Sequence, residues 1–287
     1  MKYQLSIIIL SYNTKNYLEK TLASIKRKAE WQVMVVDNAS SDGSVEMLRK
    51  QFPGVEVIVN SQNLGFAAGN NVGIKRAQGK YVMLLNSDME IGDEALETLV
   101  AFLENHLQVG AVGPKLVLAD GAIDLACHRG FPTPWNALTY FVRLEQFFPN
   151  SRWLGGYHRS WEDFGKAHPV EVICGGAMMV RKKVIDDVGY LDERFFLYAE
   201  DIDWCQRIWQ AGWQVYYVSE AKIVHFKSRS GKRVEGERVR RSVSRHHFFM
   251  TMKQYYDKYY SHQPRWFRQL VHWGIDVVSR GATKVKL

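Results

Sequence analysis

The first 118 residues alternate strand and helix signals with short links, and nothing else in the chain restricts its fold as strongly. Residues 5–10 form a continuous apolar run, the mark of a strand covered on both faces. Residues 16–28 carry Leu18, Leu22 and Ile25 at helical spacing behind Thr14, a helix-capping residue type. A strand at 32–36, a helix at 42–52 and a strand at 55–59 follow. Next come a helix at 67–77, a strand at 80–85, a helix at 95–107 and a strand at 111–118. Alternation of this kind predicts an α/β domain with a mostly parallel, doubly wound sheet flanked by helices. Such sheets bind ligands beyond the carboxyl ends of their strands.

The pattern weakens between Asp120 and Pro169, where aromatic residues crowd together: Trp135, Tyr140, Phe141, Phe147, Phe148, Trp153, Tyr157 and Trp161. This stretch reads as an irregular subdomain over the sheet on an acceptor side, although core packing accounts for any single aromatic in it. Strand signals resume at 171–174, ahead of Gly175-Gly176, and again at 213–218 after a helix at 201–211. Arg181 and Lys182 read as a solvated face, and Asp192 with Arg194 as a structural salt bridge. The expected division is therefore 1–226 for the main domain, with a nucleotide-binding half at 1–118 and an acceptor-binding half at 119–226. Residues 227–287 form a basic helical extension.

The 287 residues are 46% hydrophobic and 24% charged, enough to bury a large core and ordinary in charge. Cys127, Cys174 and Cys205 make no CxxC pair, which suits a reducing cytosol. Met1–Gln4 leads straight into the first strand without the apolar core of a signal peptide. No run approaches the ~20 apolar residues that cross a bilayer. The net charge of +8 is unevenly placed: from Phe226 onward 15 Lys and Arg face 4 Asp and Glu, a local net of +11. Such a tail favours an anionic partner, either a lipid surface or a diphosphate, and nucleic acid is not expected. Residues 227–245 read as a mobile basic loop leading into a helix, in which Lys227, Arg229, Lys232 and Arg233 either fold over a diphosphate or remain solvated. Beyond it, Trp266, Leu270, Trp273 and Val277 share one helical face beside Phe267, Val271 and Val278, with Arg265, Arg268, Arg280 and Lys284 flanking. That is either a helix lying in a membrane interface or a helix docked on its own domain.

Polar residues stand where successive strands end: Ser11-Tyr12-Asn13, Asp37-Asn38 and Asn86-Ser87-Asp88. Each alone is an ordinary turn or cap. Three at equivalent strand ends converge on one cleft. A fourth group, Glu200-Asp201, precedes a helix, with His225 after the next strand. Carboxylates there also suit a helix N-terminus, which is the plain alternative for Glu200 and Asp203.

At this point the chain resembles family 2 of the glycosyltransferases, which have the GT-A fold. The resemblance lies in SIIILSYN (6–13), VVDNASSDGS (35–44), NLGFAAGNN (63–71), LLNSDME (84–90), FFLYAEDID (195–203) and His225. The second and third motifs look most like its rhamnosyltransferase branch. The resemblance implies that Asp37 holds the pyrimidine ring of a nucleotide and that Ser11, Tyr12 and Asn13 line base and ribose. It implies that Asn63 and Gly65 close on the nucleotide, that Asn86 and Ser87 accompany it, and that Asp88 with His225 binds the metal. Asp201 corresponds to the catalytic base, with Glu200 beside it. The donor implied is dTDP- or UDP-linked, with dTDP-rhamnose first and a UDP-hexose as alternative. The acceptor is a saccharide or lipid-linked saccharide at the inner face of the cytoplasmic membrane.

The chemistry agrees. A departing nucleoside diphosphate is highly charged, and a divalent cation neutralises it as the bond breaks. Mg²⁺ and Mn²⁺ both suit a carboxylate plus phosphates, and an imidazole favours Mn²⁺. One base and no second nucleophile point to a single displacement with inversion. The family's DxD appears here as Asn86-Ser87-Asp88, so one charge is missing. No GxGxxG follows the first strand, which excludes a dinucleotide oxidoreductase. A sugar nucleotidyltransferase would need a glycine-rich basic loop there, and none is present. A non-catalytic protein that binds nucleotide sugars or membranes has no use for Asp88, Asp201 and His225 together.

Overall fold

The computed structural model describes residues 2–227 and 237–281, side chains at 237–243 and 281 excepted. Its first half runs β1 (Tyr3–Ser11), α1 (Lys15–Ser24), β2 (Trp31–Asp37), α2 (Ser44–Gln51), β3 (Glu56–Val59), α3 (Gly65–Ile74), β4 (Gly79–Asn86), β5 (Met89–Ile91), α4 (Ala95–Asn105) and β6 (Val109–Leu118). Then follow β7 (His128–Arg129), α5 (Pro134–Phe141), α6 (Leu144–Phe147), β8 (His168–Pro169), β9 (Val172–Ile173), β10 (Ala177–Arg181), α7 (Lys182–Val188), α8 (Glu200–Gln210) and β11 (Gln214–His225). Two helices close the described chain, α9 (Glu237–Tyr259) and α10 (Arg265–Gly281).

The main sheet has the order β3-β2-β1-β4-β10-β6-β11-β5, with β8 added on β11. Strands β3, β2, β1 and β4 are parallel neighbours, as are β6 and β11. β10 runs against both β4 and β6 and joins the two halves. The apolar run in β1 is explained by this position: Ile7, Ile8 and Ile9 are wholly buried, each contributing about 1.5–3 kcal/mol. Helix α3 lies so close on that face that a Cβ on Gly73 would stand 2.5 Å from Ile8 Cγ2. A Gly73→Ala change would therefore force the helix off the sheet.

The strand expected at 171–174 is β9, which pairs with β7 in a ribbon separate from the main sheet. The strand that enters is β10, a five-residue apolar run directly after Gly175-Gly176 that was passed over because it is short and abuts a helix. Arg181 is not solvated. It is buried, donating to Val109 O (2.6 Å), His106 O (3.0 Å) and Leu103 O at the C-terminal end of α4. A cation there satisfies carbonyls that helix geometry leaves open.

The aromatic stretch contains α5, α6, a 3-10 turn at Leu125–Cys127 and the two-residue strands β7 and β8, and is irregular between them. Helix α9 crosses back onto the domain. Tyr256 Oη donates to Pro132 O and Tyr259 Oη to Asp203 Oδ1, both at 2.6 Å. Asp203, fully buried, also accepts from Arg207 Nε (2.9 Å) and Lys258 Nζ. The expected Asp192–Arg194 bridge is present at 2.6 Å. Of the stretch expected at 227–245, residues 228–236, with Arg229, Lys232 and Arg233, lie outside the described residues, as does Lys284, and α9 begins at Glu237.

Candidate active site

Register brings the strand ends together. Ser11 lies opposite Asp37, and Leu10 opposite Asn86, so the polar residues after β1, β2 and β4 form one rim. Asp37 is fully buried; its Oδ1 accepts from Ser40 N (2.8 Å), and its Oδ2 has no partner. An unpaired buried acceptor is unusual and suits a ligand donor. Asn13, at φ 54°, uses its Oδ1 to accept from Ser41 N (2.8 Å), tying the β1 end to the loop after β2. Tyr12 projects with its ring exposed. Ser11, Thr14 and Ser87 share a chain of hydroxyl contacts at 3.0 and 2.8 Å.

The NLGFAAGNN loop docks on this rim through Asn38. Asn38 Nδ2 donates to Gly65 O (3.0 Å) and Asn63 Oδ1 (3.2 Å), and Asn63 Oδ1 also accepts from Gly65 N (2.9 Å). Gly65 has φ +82°, and a Cβ there would meet Phe196 O at 2.5 Å, so glycine is required on two counts. Phe196 belongs to the FFLYAEDID motif, so the NLGFAAGNN segment and the acidic motif touch directly.

Gly175-Gly176 links the rim to the acidic pair. Asn86 N donates to Gly176 O (2.7 Å), and Gly175 N donates to Asp201 Oδ2 (3.1 Å). A Cβ on Gly176 would fall 2.5 Å from Asn86 Nδ2. The glycines serve close approach between the Asn86 and Asp201 side chains. Asp201 Oδ2 also accepts from Arg129 Nη2 at 2.6 Å. Glu200 is buried, and its Oε2 has no partner. Burial first, and the charge of Asp201 second, hold its carboxyl well above the ordinary range.

Asp88 and His225 meet on the other side. Phe226 N donates to Asp88 O (3.0 Å), and His225 Nε2 stands 3.5 Å from Asp88 Oδ1. His225 Nδ1 lies 2.8 Å from Asp124 Oδ2, a residue sequence reading passed over because no motif surrounds it. Burial alone would lower the His225 pKa, but the bonds to Asp124 and Asp88 outweigh it and raise it to about 8. Among the described residues no three His, Cys, Asp or Glu side chains form a ready-made cage. One carboxylate and one imidazole are nevertheless the donor set expected where substrate phosphates complete the coordination.

A cleft of about 660 Å³, open space at its mouth included, starts at Arg129, Glu200 and Asp201 and runs between α5 and α9. Tyr140, Tyr157, Tyr198, Phe248 and Tyr255 are among its walls. The carboxylate pair thus opens toward aromatic surface, part of it supplied by the C-terminal helix. Of the eight aromatics of residues 120–169 that sequence reading set on an acceptor side, Tyr140, Phe141 and Tyr157 line this cleft; Arg129 and the contribution of α9 were missed.

Comparison with known proteins agrees with this architecture. The chain is 28% identical over 239 residues to N-acetylglucosaminyl-diphospho-decaprenol L-rhamnosyltransferase of Mycobacterium tuberculosis, covering 79% of this chain and 77% of that one. It is 28% identical to the low-salt glycan biosynthesis hexosyltransferase Agl10 of Haloferax volcanii, covering 71% and 61%. Among solved structures, S. aureus TarS 1-349 in complex with UDP superposes with TM-score 0.56 at 19% identity, covering 87% of this chain and 63% of that one. GalNAc-T7 with UDP, GalNAc and Mn²⁺ superposes with TM-score 0.59 at 15% identity, covering 80% and 45%. The chain thus spans less than two thirds of either solved chain, and at these identities the likeness concerns the fold, which is of the GT-A type. Residues 6–189 match the model described as glycosyl transferase family 2, and the chain belongs to that family of glycosyltransferases.

Proposed function

We propose that this protein transfers a sugar with inversion from a nucleoside-diphosphate donor to a hydroxyl of a lipid-linked saccharide. Rhamnose from dTDP-rhamnose is the first choice, and a UDP-hexose is the alternative. The observation that carries the reading is the carboxylate pair Glu200-Asp201 at the head of an aromatic cleft, one glycine pair away from the strand-end rim. The M. tuberculosis relative, named for rhamnosyl transfer to a diphospho-decaprenol acceptor, supports both the sugar and the acceptor class.

Each group then has a task. The unpaired Asp37 Oδ2 suits the imide N–H of thymine or uracil. Asn63 and Gly65 carry the loop that closes on the nucleotide, with Ser11, Tyr12, Asn13, Asn86 and Ser87 around it. Asp88 and His225 would hold Mn²⁺ or Mg²⁺, which supplies charge neutralisation for the departing diphosphate. The Glu200 carboxyl is pushed up by burial, and Asp201, held in place by Arg129 and the Gly175 N–H, takes the acceptor proton. The acceptor sugar stacks on Tyr140, Tyr157 and Tyr198.

No described helix is long and apolar enough to cross a membrane. Trp266 and Trp273 are nonetheless 67% and 64% exposed on α10, with Leu270 and Val277 on the same stripe. The opposite side of α10 packs on α9 through Ile275 and the Lys253–Asp276 pair. An exposed apolar stripe in a basic tail supports peripheral contact with an anionic membrane at the cytoplasmic face. The deciding assay offers dTDP-rhamnose or UDP-GlcNAc with a polyprenyl-diphosphate-linked GlcNAc acceptor, with Mn²⁺ or with EDTA. Rhamnosylated product only with metal is expected. Equal turnover in EDTA would remove the metal from the proposal, and turnover with UDP-GlcNAc alone would reassign the donor.

A further inference from the structure

Asp124 is nearly inaccessible, and one of its carboxylate oxygens meets His225. It stands just ahead of a single 3-10 turn, Leu125–Cys127, where its Oδ1 accepts from Ala126 N (3.1 Å) and from Lys227 Nζ (2.7 Å). The capping bond and the lysine occupy one oxygen, which leaves Oδ2 for His225 Nδ1 at 2.8 Å. Backbone pairing fixes the same corner. Asp124 N donates to Leu116 O on β6, His225 pairs in register with Leu118 of β6 and with Met89 of β5, and Phe226 N donates to Asp88 O. Three segments distant in sequence are therefore locked before any ligand arrives.

An imidazole whose Nδ1 proton is given to a carboxylate presents the lone pair of Nε2. Here Nε2 is the nitrogen beside Asp88. Histidines that ligate metals characteristically make such an outer bond, which fixes the tautomer and the ring orientation. A cap needs one oxygen; the second is the one that meets His225.

We infer that Asp124 is a positioning residue for a divalent cation: it orients His225 so that Nε2 and Asp88 face one ion. The inference rests on the reading of Asp88 and His225 as metal ligands. It assigns Asp124 no contact with substrate and no proton transfer.

The experiment uses the full chain and measures Mn²⁺ affinity by calorimetry in the presence of dTDP, for parent, Asp124→Asn, Asp124→Ala and His225→Ala. Asp124→Asn and Asp124→Ala are expected to weaken Mn²⁺ roughly 10- to 100-fold, with dTDP binding in metal-free buffer unchanged. His225→Ala losing affinity while both Asp124 variants stay within twofold of parent would overturn the role of Asp124 alone. His225→Ala keeping parent affinity would overturn the metal reading beneath it. Nitrogen NMR of the His225 ring in the parent protein gives a second test that needs no variant to fold. In Mn²⁺-free buffer with diamagnetic Mg²⁺ and dTDP, the proton is expected on Nδ1; a ring protonated on Nε2 alone would refute the inference.

Discussion

Arg129 Nη2 lies 2.6 Å from Asp201 Oδ2, although the two residues are 72 positions apart and come from different secondary-structure elements. The pair is largely buried, and Glu200 next to it carries an unpartnered oxygen. Two adjacent carboxyls thus have opposite environments. One is matched to a guanidinium and a backbone N–H; the other is desolvated and repelled. Divergent environments of this kind assign divergent protonation states to chemically similar groups.

Asp201→Asn should lower kcat by about 10²- to 10⁴-fold, the usual range for loss of a general base. Its donor Kd should stay within about twofold of the parent value. Glu200→Gln replaces a carboxyl whose pKa burial already raises by a neutral isostere, so its kcat should stay within about tenfold. Steady-state kinetics with donor calorimetry check both; the reverse ranking would exchange the two roles.

Asp203 latches α9 to the domain through Lys258 and Tyr259, while Arg207 pairs with it within α8. Asp203→Ala removes the buried acceptor of Tyr259, Arg207 and Lys258, but Lys258 keeps Asp192 and Arg207 keeps the Val188 and Tyr190 carbonyls, so the cost should be about 1–3 kcal/mol. Urea unfolding should show that loss. Acceptor KM should rise as well, because α9 contributes Phe248 and Tyr255 to the cleft. A stable variant with parental KM would show that the latch is dispensable.

His225 couples stability to pH in metal-free protein. Its pKa is about 8 when folded, against 6.5 for an ordinary histidine. Its contribution is therefore complete below about pH 6.5 and disappears as pH rises through about 8, on the order of 2 kcal/mol. Melting temperature in EDTA should fall between pH 6 and pH 9 for the parent and fall less for His225→Gln. Parallel curves for the two proteins would contradict this.

Replacing Trp266 and Trp273 by Ser should weaken binding to anionic vesicles by roughly tenfold or more, since each indole buries substantial apolar area in an interface. Binding of the parent should weaken as salt screens the basic tail. Turnover on a short, soluble acceptor should not change. Equal co-sedimentation of parent and variant would exclude the stripe as the contact.

Periodicity and composition alone carried the strand–helix alternation, the rim of polar residues after β1, β2 and β4, and the acidic motif ahead of α8. These are local properties: a buried parallel strand must be apolar throughout, and its carboxyl end must turn, so the polar residue that follows is visible in one dimension. The apolar stripe of α10 was equally legible, because helical spacing depends only on neighbours in sequence. Which face of α10 meets α9 was not. Nor could the chain reveal that β10 bridges the two halves, that Arg181 seals the end of α4, or that Asp124 and Arg129 reach His225 and Asp201 across 101 and 72 residues. Those pairings exist only once the sheet has closed, because a long-range ion pair or hydrogen bond leaves no period in the sequence and is chosen by the packing that excludes water around it.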